Sequence, residues 1–172
     1  MNGAAVSAGR VPLVTRERRF AWGERTYLMG VINVTPDSFS GDGRPAANDA
    51  LALALELDAA GADVLDLGAE STRPGALPID VEEEGRRLLP ALSAIRAALP
   101  HAVLSVDTYK PAIFRQAREA GGDWLNSVWG LDDGLLASAA QHHLPVVIMH
   151  NQRVAQYDDV VGDVLRYLEG QA

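Results

Sequence analysis

Five short apolar runs of strand length punctuate the chain: Tyr27 to Val34, Asp63 to Gly68, Ala102 to Val106, Asp123 to Asn126 and Pro145 to His150. Each is bounded by Gly, Pro or polar residues and followed by a helix-like stretch, the pattern of βα units. In "AANDALALALELDAA", residues 46–60, Ala and Leu dominate, and Gly61 follows as a natural stop. Asp80 stands before the segment Val81 to Leu99 as its N-cap, with Glu83 three residues on in a variant of the capping box, and Pro90 is expected to kink the helix. The acidic run Glu82 to Glu84 reads as a solvated helix start. In the last helix Val160, Val161, Val164, Leu165 and Leu168 recur on one face while Asp158 and Asp159 sit where the helix dipole favours negative charge, which predicts an amphipathic cover helix.

Strands that alternate with helices must lie parallel, because a parallel neighbour needs a crossover connection. The fold class is therefore α/β. Ahead of the first unit, "LVTRERRFAWGERTYL" alternates and contains the turn-like "WGE", which predicts a small hairpin. Residues 1–10 read as a loose tail and 11–172 as one domain with no visible internal boundary.

Composition narrows the partners more than the fold. A net charge of -8 argues against a general nucleic-acid or anionic-membrane surface, both of which need a basic field. The absence of cysteine removes disulfides, thiolate metal sites and a cysteine nucleophile, and with no spanning-length apolar segment the expected setting is the cytoplasm.

Every predicted strand ends in polar groups: Asn33, then Glu70-Ser71-Thr72-Arg73, then Asp107-Thr108, Asn126-Ser127 and His150-Asn151. The carboxyl ends of parallel strands are where α/β folds bind ligands. Arg73 offers a donor fork suited to phosphate, and an amide oxygen such as that of Asn33 is a hard ligand suited to Mg²⁺. A carboxylate at Asp107 with an amide at Asn126 is what a nitrogen heterocycle with ring donors and acceptors requires. The two sets together specify a base-like ring attached to a phosphate.

The motifs "MGVINVTPDSFSGDG", "DLGAESTRPGA", "SVDTYKP" and "VVIMHNQ" together resemble dihydropteroate synthase, with the likeness running from about Phe20 to the end of the chain. The resemblance implies a (βα)8 TIM barrel, of which this chain would hold about the first five βα units behind a short hairpin. It implies a transferase that joins 6-hydroxymethyl-7,8-dihydropterin diphosphate to p-aminobenzoate with Mg²⁺. Residue by residue, Asn33 would meet the metal-bound diphosphate; Asp107 and Asn126 would hydrogen-bond the pterin, with Met149 against its ring; Arg73 would bind the diphosphate; Thr72 and Pro74 would shape the p-aminobenzoate site; and Asp37, Ser38 and Phe39 would lie on a loop that closes over both substrates. Asn33, Arg73 and Asp107 are the expected catalytic residues, with no dedicated general base.

Three local departures from the family pattern stand out: Ala69 in place of a glycine, "SFSGDG" in place of "SFSDGG", and Ser127 in place of the Asp that usually follows the pterin-binding Asn. The last is expected to loosen the orientation of Asn126. A whole barrel takes about 250 residues, and in the family the later units carry a further pterin-binding Asp, a Lys, an Arg and a His. The chain is accordingly expected to be a truncated barrel that forms a homo-oligomer or is completed by another chain, with a catalytically incompetent pterin-binding or interaction module as the alternative. Among the remaining aromatic and histidine residues, Trp129 alone is held as a stacking candidate, and His150 is expected to orient the fifth loop.

Overall fold

The computed structural model describes residues 12–35, 46–73, 75–152 and 154–172. The predicted tail at 1–10 and the predicted loop residues Asp37, Ser38 and Phe39, together with Pro74, lie outside the described residues.

A two-stranded antiparallel hairpin, β1 (Leu13–Thr15) and β2 (Arg18–Phe20), precedes a five-stranded parallel sheet. The sheet runs β3 (Met29–Asn33), β4 (Val64–Gly68), β5 (Val103–Asp107), β6 (Trp124–Ser127) and β7 (Val146–Ile148), in chain order from edge to edge. Its crossovers are α1 (Ala46–Ala59), α2 (Val81–Ala98), α3 (Pro111–Glu119) and α4 (Asp133–Gln141), and α5 (Val160–Gln171) follows β7. All five predicted strands are present, and the order is that of consecutive βα units.

Alternation along the strands divides the core into two. Ile32, Leu65, Leu67, Leu104, Val106 and Leu125 point to the helices and pack in one cluster with Leu88, Leu92, Ile95, Ile113 and Phe114. On the opposite face Val64, Val103 and Trp124 pack with Phe20 of the hairpin, flanked by Leu13, Tyr27 and Val147. Phe20 sits 4.9 Å from the Trp124 ring and 5.1 Å from Tyr27, and the Trp124 indole N–H donates to Thr15 Oγ1 at 2.9 Å. The hairpin thus closes the face at the amino ends of the strands and leaves the carboxyl ends open.

The turn between β1 and β2 lies at Arg16 and Glu17, and the predicted "WGE" turn is present as a second one, at Gly23 and Glu24 between the bridged Trp22 and Arg25. Burial of Phe20 opposite Leu13 sets this register, and Arg16 takes up a φ of 53° to satisfy it. Gly61 ends α1 as expected, with a φ of 94° that an L side chain adopts only with strain. Asp80 caps α2, its Oδ1 accepting from Glu83 N at 2.8 Å. The reciprocal half of the capping box is absent, because the Glu83 carboxylate pairs with Arg86 and Arg87 at 2.7 and 2.6 Å. The helix runs on through Pro90, which lies on its exposed side.

The cover-helix expectation for α5 holds only in part. Val164 and Leu168 are half-buried, but Val160, Val161 and Leu165 are more than half exposed, so this apolar stripe is wider than what it covers. The helix is tied to the sheet through polar groups: Tyr167 Oη donates to Trp129 O at 3.3 Å, and Gln171 Oε1 accepts from Leu131 N at 2.6 Å. His150 packs on the rings of Tyr157 and Tyr167, at 5.7 and 5.0 Å, and so links the fifth loop to α5.

Below the sheet, buried Asp123 collects Arg16 at 2.8 Å, Arg96 at 2.7 Å and the backbone N–H of Leu104 at 2.9 Å. Arg96 also donates to the carbonyls of Leu99, Ala102 and Gly121, so one ion pair closes the C-terminal end of α2 and the entries to β5 and β6. Removing one partner of such a pair leaves an uncompensated buried charge. Asp123→Ala is expected to destabilise the chain by about 3 kcal/mol or more, read as a lower midpoint of urea unfolding with an unchanged slope.

Candidate active site

Strand register decides which side chains meet. Asn33 pairs with Gly68, Gly68 with Asp107, Asp107 with Asn126 and Asn126 with Val147, so these positions form one layer across all five strands at their carboxyl ends. A Cβ on Gly68 would lie 3.3 Å from both Cβ and Oδ2 of Asp107, so the glycine leaves the room in which that carboxylate sits. Met149 follows two residues beyond Val147, on the same face by alternation and 42% exposed.

A cleft of about 360 Å³ opens above this layer, lined by Asn33, Thr35, Glu70, Thr72, Arg73 and Asp107. Four of the predicted residues, Asn33, Thr72, Arg73 and Asp107, therefore share one cavity. An adjoining cleft contains Thr72 and Arg73 again with Tyr109, Trp129 and Asn151, which places the stacking candidate Trp129 at the site margin. Asn126 and Met149 line neither cleft and sit on the sheet face beside Asp107. Among the described residues no ion-pair partner meets the Arg73 guanidinium, which leaves its donors available.

The layer is acidic and partly dry. Burial pushes the Asp107 carboxyl up to about 7, helped by the nearby negative charges of Asp66, Glu84 and Glu70. Asp66, one layer below and buried, is also raised by desolvation, against the opposing influence of the Ser105 hydroxyl and the Asn126 amide. Asn126 Nδ2 donates to Asp66 Oδ2 at 2.9 Å, and buried Ser105, the partner of Asp66 in register, turns its hydroxyl toward the same carboxylate. The residues singled out for a role from the sequence do not include Asp66. Its spacing, two residues before Gly68 on the same side of β4, was the available signal.

This contact also revises the expectation for Ser127. That side chain lies on the opposite face of β6 from Asn126 and donates to Gly130 O at 2.5 Å, so the Asn126 amide takes its orientation from Asp66 and not from its chain neighbour.

A second correction concerns Glu84, which is 1% exposed and not a member of a solvated helix start. It accepts from Lys110 Nζ at 2.5 Å and from Thr108 Oγ1 at 2.7 Å. Glu84 falls four residues before Leu88, on the buried stripe of α2 that continues through Leu92 and Ile95, and that periodicity was the signal in the sequence.

Comparison with known proteins gives this geometry a family. The family model described as "Pterin binding enzyme" matches residues 29–172. The chain belongs to that family. It is 36% identical over 170 residues to a dihydropteroate synthase of Synechocystis sp., covering 93% of this chain and 58% of that protein. Dihydropteroate synthase from Xanthomonas albilineans, solved with 4-aminobenzoic acid, superposes with a TM-score of 0.81 at 44% identity, covering 86% of this chain and 55% of the other. The same enzyme solved with 7,8-dihydropteroate gives a TM-score of 0.76 at 40% identity, over 86% and 54% of the two chains. The chain spans little more than half the length of these relatives. The pterin-binding family likeness and the strand order agree with the predicted TIM-barrel-type architecture over five βα units behind a hairpin.

Among the described residues no group of three or more Asp, Glu, His or Cys side chains is arranged to hold a metal ion. No helix among them is long and apolar enough to cross a membrane.

The raised Asp107 has a measurable consequence. The folded chain holds that proton more tightly than the unfolded chain, whose carboxyl titrates near 3.8, so stability falls as pH rises from about 4 to about 7 and the loss is complete above that. Asp107→Asn is expected to gain stability relative to the parent chain across that window, by up to about 4 kcal/mol at pH 8, and to show no gain below pH 4. Urea unfolding of both chains at a series of pH values checks it; a difference independent of pH would show that the carboxyl is not raised.

Proposed function

We propose that this chain carries the pterin and diphosphate side of a dihydropteroate synthase site, in which p-aminobenzoate displaces diphosphate from 6-hydroxymethyl-7,8-dihydropterin diphosphate to give 7,8-dihydropteroate. The observation that carries the reading is the single layer Asn33, Gly68, Asp107, Asn126 with Arg73 and Thr72 over the same cleft. A heterocycle at one end and an anion at the other match that arrangement, and the solved relatives with 4-aminobenzoic acid and 7,8-dihydropteroate support it.

In this reading the Asp107 carboxylate accepts from ring N–H groups, which also favours its charged form over the proton it otherwise holds. Asn126, held by Asp66, presents its amide oxygen to the ring. Met149 packs against the pterin from just beyond β7, and Thr72 shapes the p-aminobenzoate site beside Tyr109 and Trp129. Arg73 holds the diphosphate, and as the C–O bond breaks its guanidinium meets the charge that accumulates on the leaving oxygen, the largest contribution the protein can make to such a step. The arylamine nitrogen is neutral at pH 7 and attacks the methylene without a dedicated base, losing its proton to solvent.

Mg²⁺ fits this cleft in the way it fits most phosphate sites, with few protein ligands and the remainder from phosphate and water. Asn33 would give it one amide oxygen, and the bound ion would neutralise charge on the diphosphate. The setting is taken to be cytoplasmic.

A second reading, a pterin-binding or interaction module without turnover, is favoured by the apolar side chains that β3 exposes. Met29 and Val31 of β3, with Leu28 just before it, are 37%, 56% and 58% exposed, an apolar surface suited to contact with a partner.

Diphosphate release by the purified chain with Mg²⁺, pterin diphosphate and p-aminobenzoate separates the two readings: turnover that Asn33→Ala abolishes supports the enzyme, and pterin binding without release supports the module. Arg73→Ala is expected to weaken binding of the pterin diphosphate by about 10- to 100-fold, the worth of hydrogen bonds to a charged group, and to leave the bare pterin unchanged. Equal losses for both ligands would remove Arg73 from its assigned role.

A further inference from the structure

Three elements meet at a buried ion cluster outside the residues assigned above. Lys110, the residue that precedes α3, places its Nζ between Glu84 of α2, at 2.5 Å, and Glu70 of the β4–α2 loop, which it also contacts as an ion pair. All three side chains are 14% exposed or less. The neighbours complete the cluster. Tyr109 Oη donates to Glu70 Oε1 at 2.7 Å, Thr108 Oγ1 donates to Glu84 Oε1 at 2.7 Å, and Lys110 N donates back to Thr108 Oγ1 at 3.2 Å. Ile79 N, at the far end of the loop, donates to Glu70 Oε2 at 3.4 Å. Glu70 therefore joins the start of the loop to its end and both to Lys110. Arg73 and Thr72 lie between these fixed points.

We propose that Lys110, through Glu70 and anchored by Glu84, is a positioning residue that holds the 70–79 loop so that Arg73 faces the anion cleft. The functional half of this proposal rests on the diphosphate reading above. Lys110 lines neither cleft described above, so its effect on an anion must pass through the loop. The burial of Glu84 shows why the arrangement is rigid: an interior carboxylate without its cation is far costlier than the pair, so Lys110 cannot swing into solvent without leaving two acids behind. Arg73, in contrast, has a long stem and would lose rotamer freedom on binding; a fixed loop lowers that loss.

The test uses Lys110→Met and the double variant Lys110→Met/Glu84→Gln, which removes the more deeply buried of its two acids along with Lys110. The single variant is expected to lose thermal stability, and the double variant to recover part of it, since Glu70 stays without its cation. Both are expected to bind inorganic diphosphate with Mg²⁺ about tenfold more weakly than the parent, and 6-hydroxymethylpterin within about twofold of it, because only the loop has been released. In an Arg73→Ala background the Lys110→Met/Glu84→Gln change is expected to alter diphosphate affinity less than about twofold, since neighbours acting through one group are not additive. A double variant that binds diphosphate as the parent does, or a loss that adds in full to that of Arg73→Ala, would overturn the proposal. Amide hydrogen exchange gives a readout that needs no ligand. Residues 71–73 and 75–79 are expected to exchange about tenfold faster in the double variant, and unchanged exchange would overturn the clamp itself. Faster exchange in a chain whose parent binds no diphosphate would leave the clamp standing and sink the diphosphate reading instead.

Discussion

Parallel strands in strict register determine where this molecule's polar chemistry emerges. Because each strand pairs with the next without a bulge through residues 33, 68, 107 and 126, side chains that are remote in sequence arrive in a single row. Helix packing on one face and the aromatic hairpin on the other hold that row in place. The hairpin matters as much as the helices. By filling the lower half of the inner face with Phe20 and Trp124, it confines solvent and ligands to the carboxyl ends, where Asp107 loses hydration from below and meets the cleft from above.

That row carries an electrostatic strain. Asp66, Glu70, Glu84 and Asp107 lie close enough for their charges to act on one another, and of these only Glu70 and Glu84 share a cation. Burial first, and these neighbouring charges second, leave Asp107 holding its proton to about pH 7. A protein selected for stability alone would have placed an amide there. The retained carboxyl, opposite a glycine that makes space for it, is the kind of local cost that marks a site built for a ligand with N–H donors. Lys110 bounds the same strain, as the cation shared by two of the four acids.

What the sequence makes legible follows from this physics. Apolar runs that end on Asn33, Asp107 and Asn126 announce buried strands with a functional rim, because burial and termination are both local signals. The acidic character of Glu82 to Glu84 is equally local, and there it misleads: only the distance from Glu84 to Leu88 and Leu92 reveals that one of the three acids faces inward. Its partner Lys110 lies 26 residues away on another crossover, a contact no local pattern encodes. Ser127 shows the same limit in reverse. A neighbour in sequence is a poor guide to what orients Asn126, since adjacent strand residues face opposite ways and the true partner, Asp66, is two strands distant. The "WGE" turn was legible in its glycine, whereas the turn at Arg16 and Glu17 was not, because the burial of Phe20 opposite Leu13, and not turn chemistry, fixes that register.

The least supported strand holds the most exposed member of the row. Within the described residues β3 pairs only with β4, and its inward side chains Met29 and Val31 stay open to solvent beneath Asn33. A parallel edge of this kind is unusual, since such sheets are ordinarily covered on both faces and paired along their length. Whatever pairs with that edge would bury Val31 beside Asn33. The rest of the candidate site does not depend on that edge: Asp107 and Asn126 stand on paired strands and Arg73 on a loop fastened at both ends, so among the assigned residues of the row only Asn33 rests on the least supported strand.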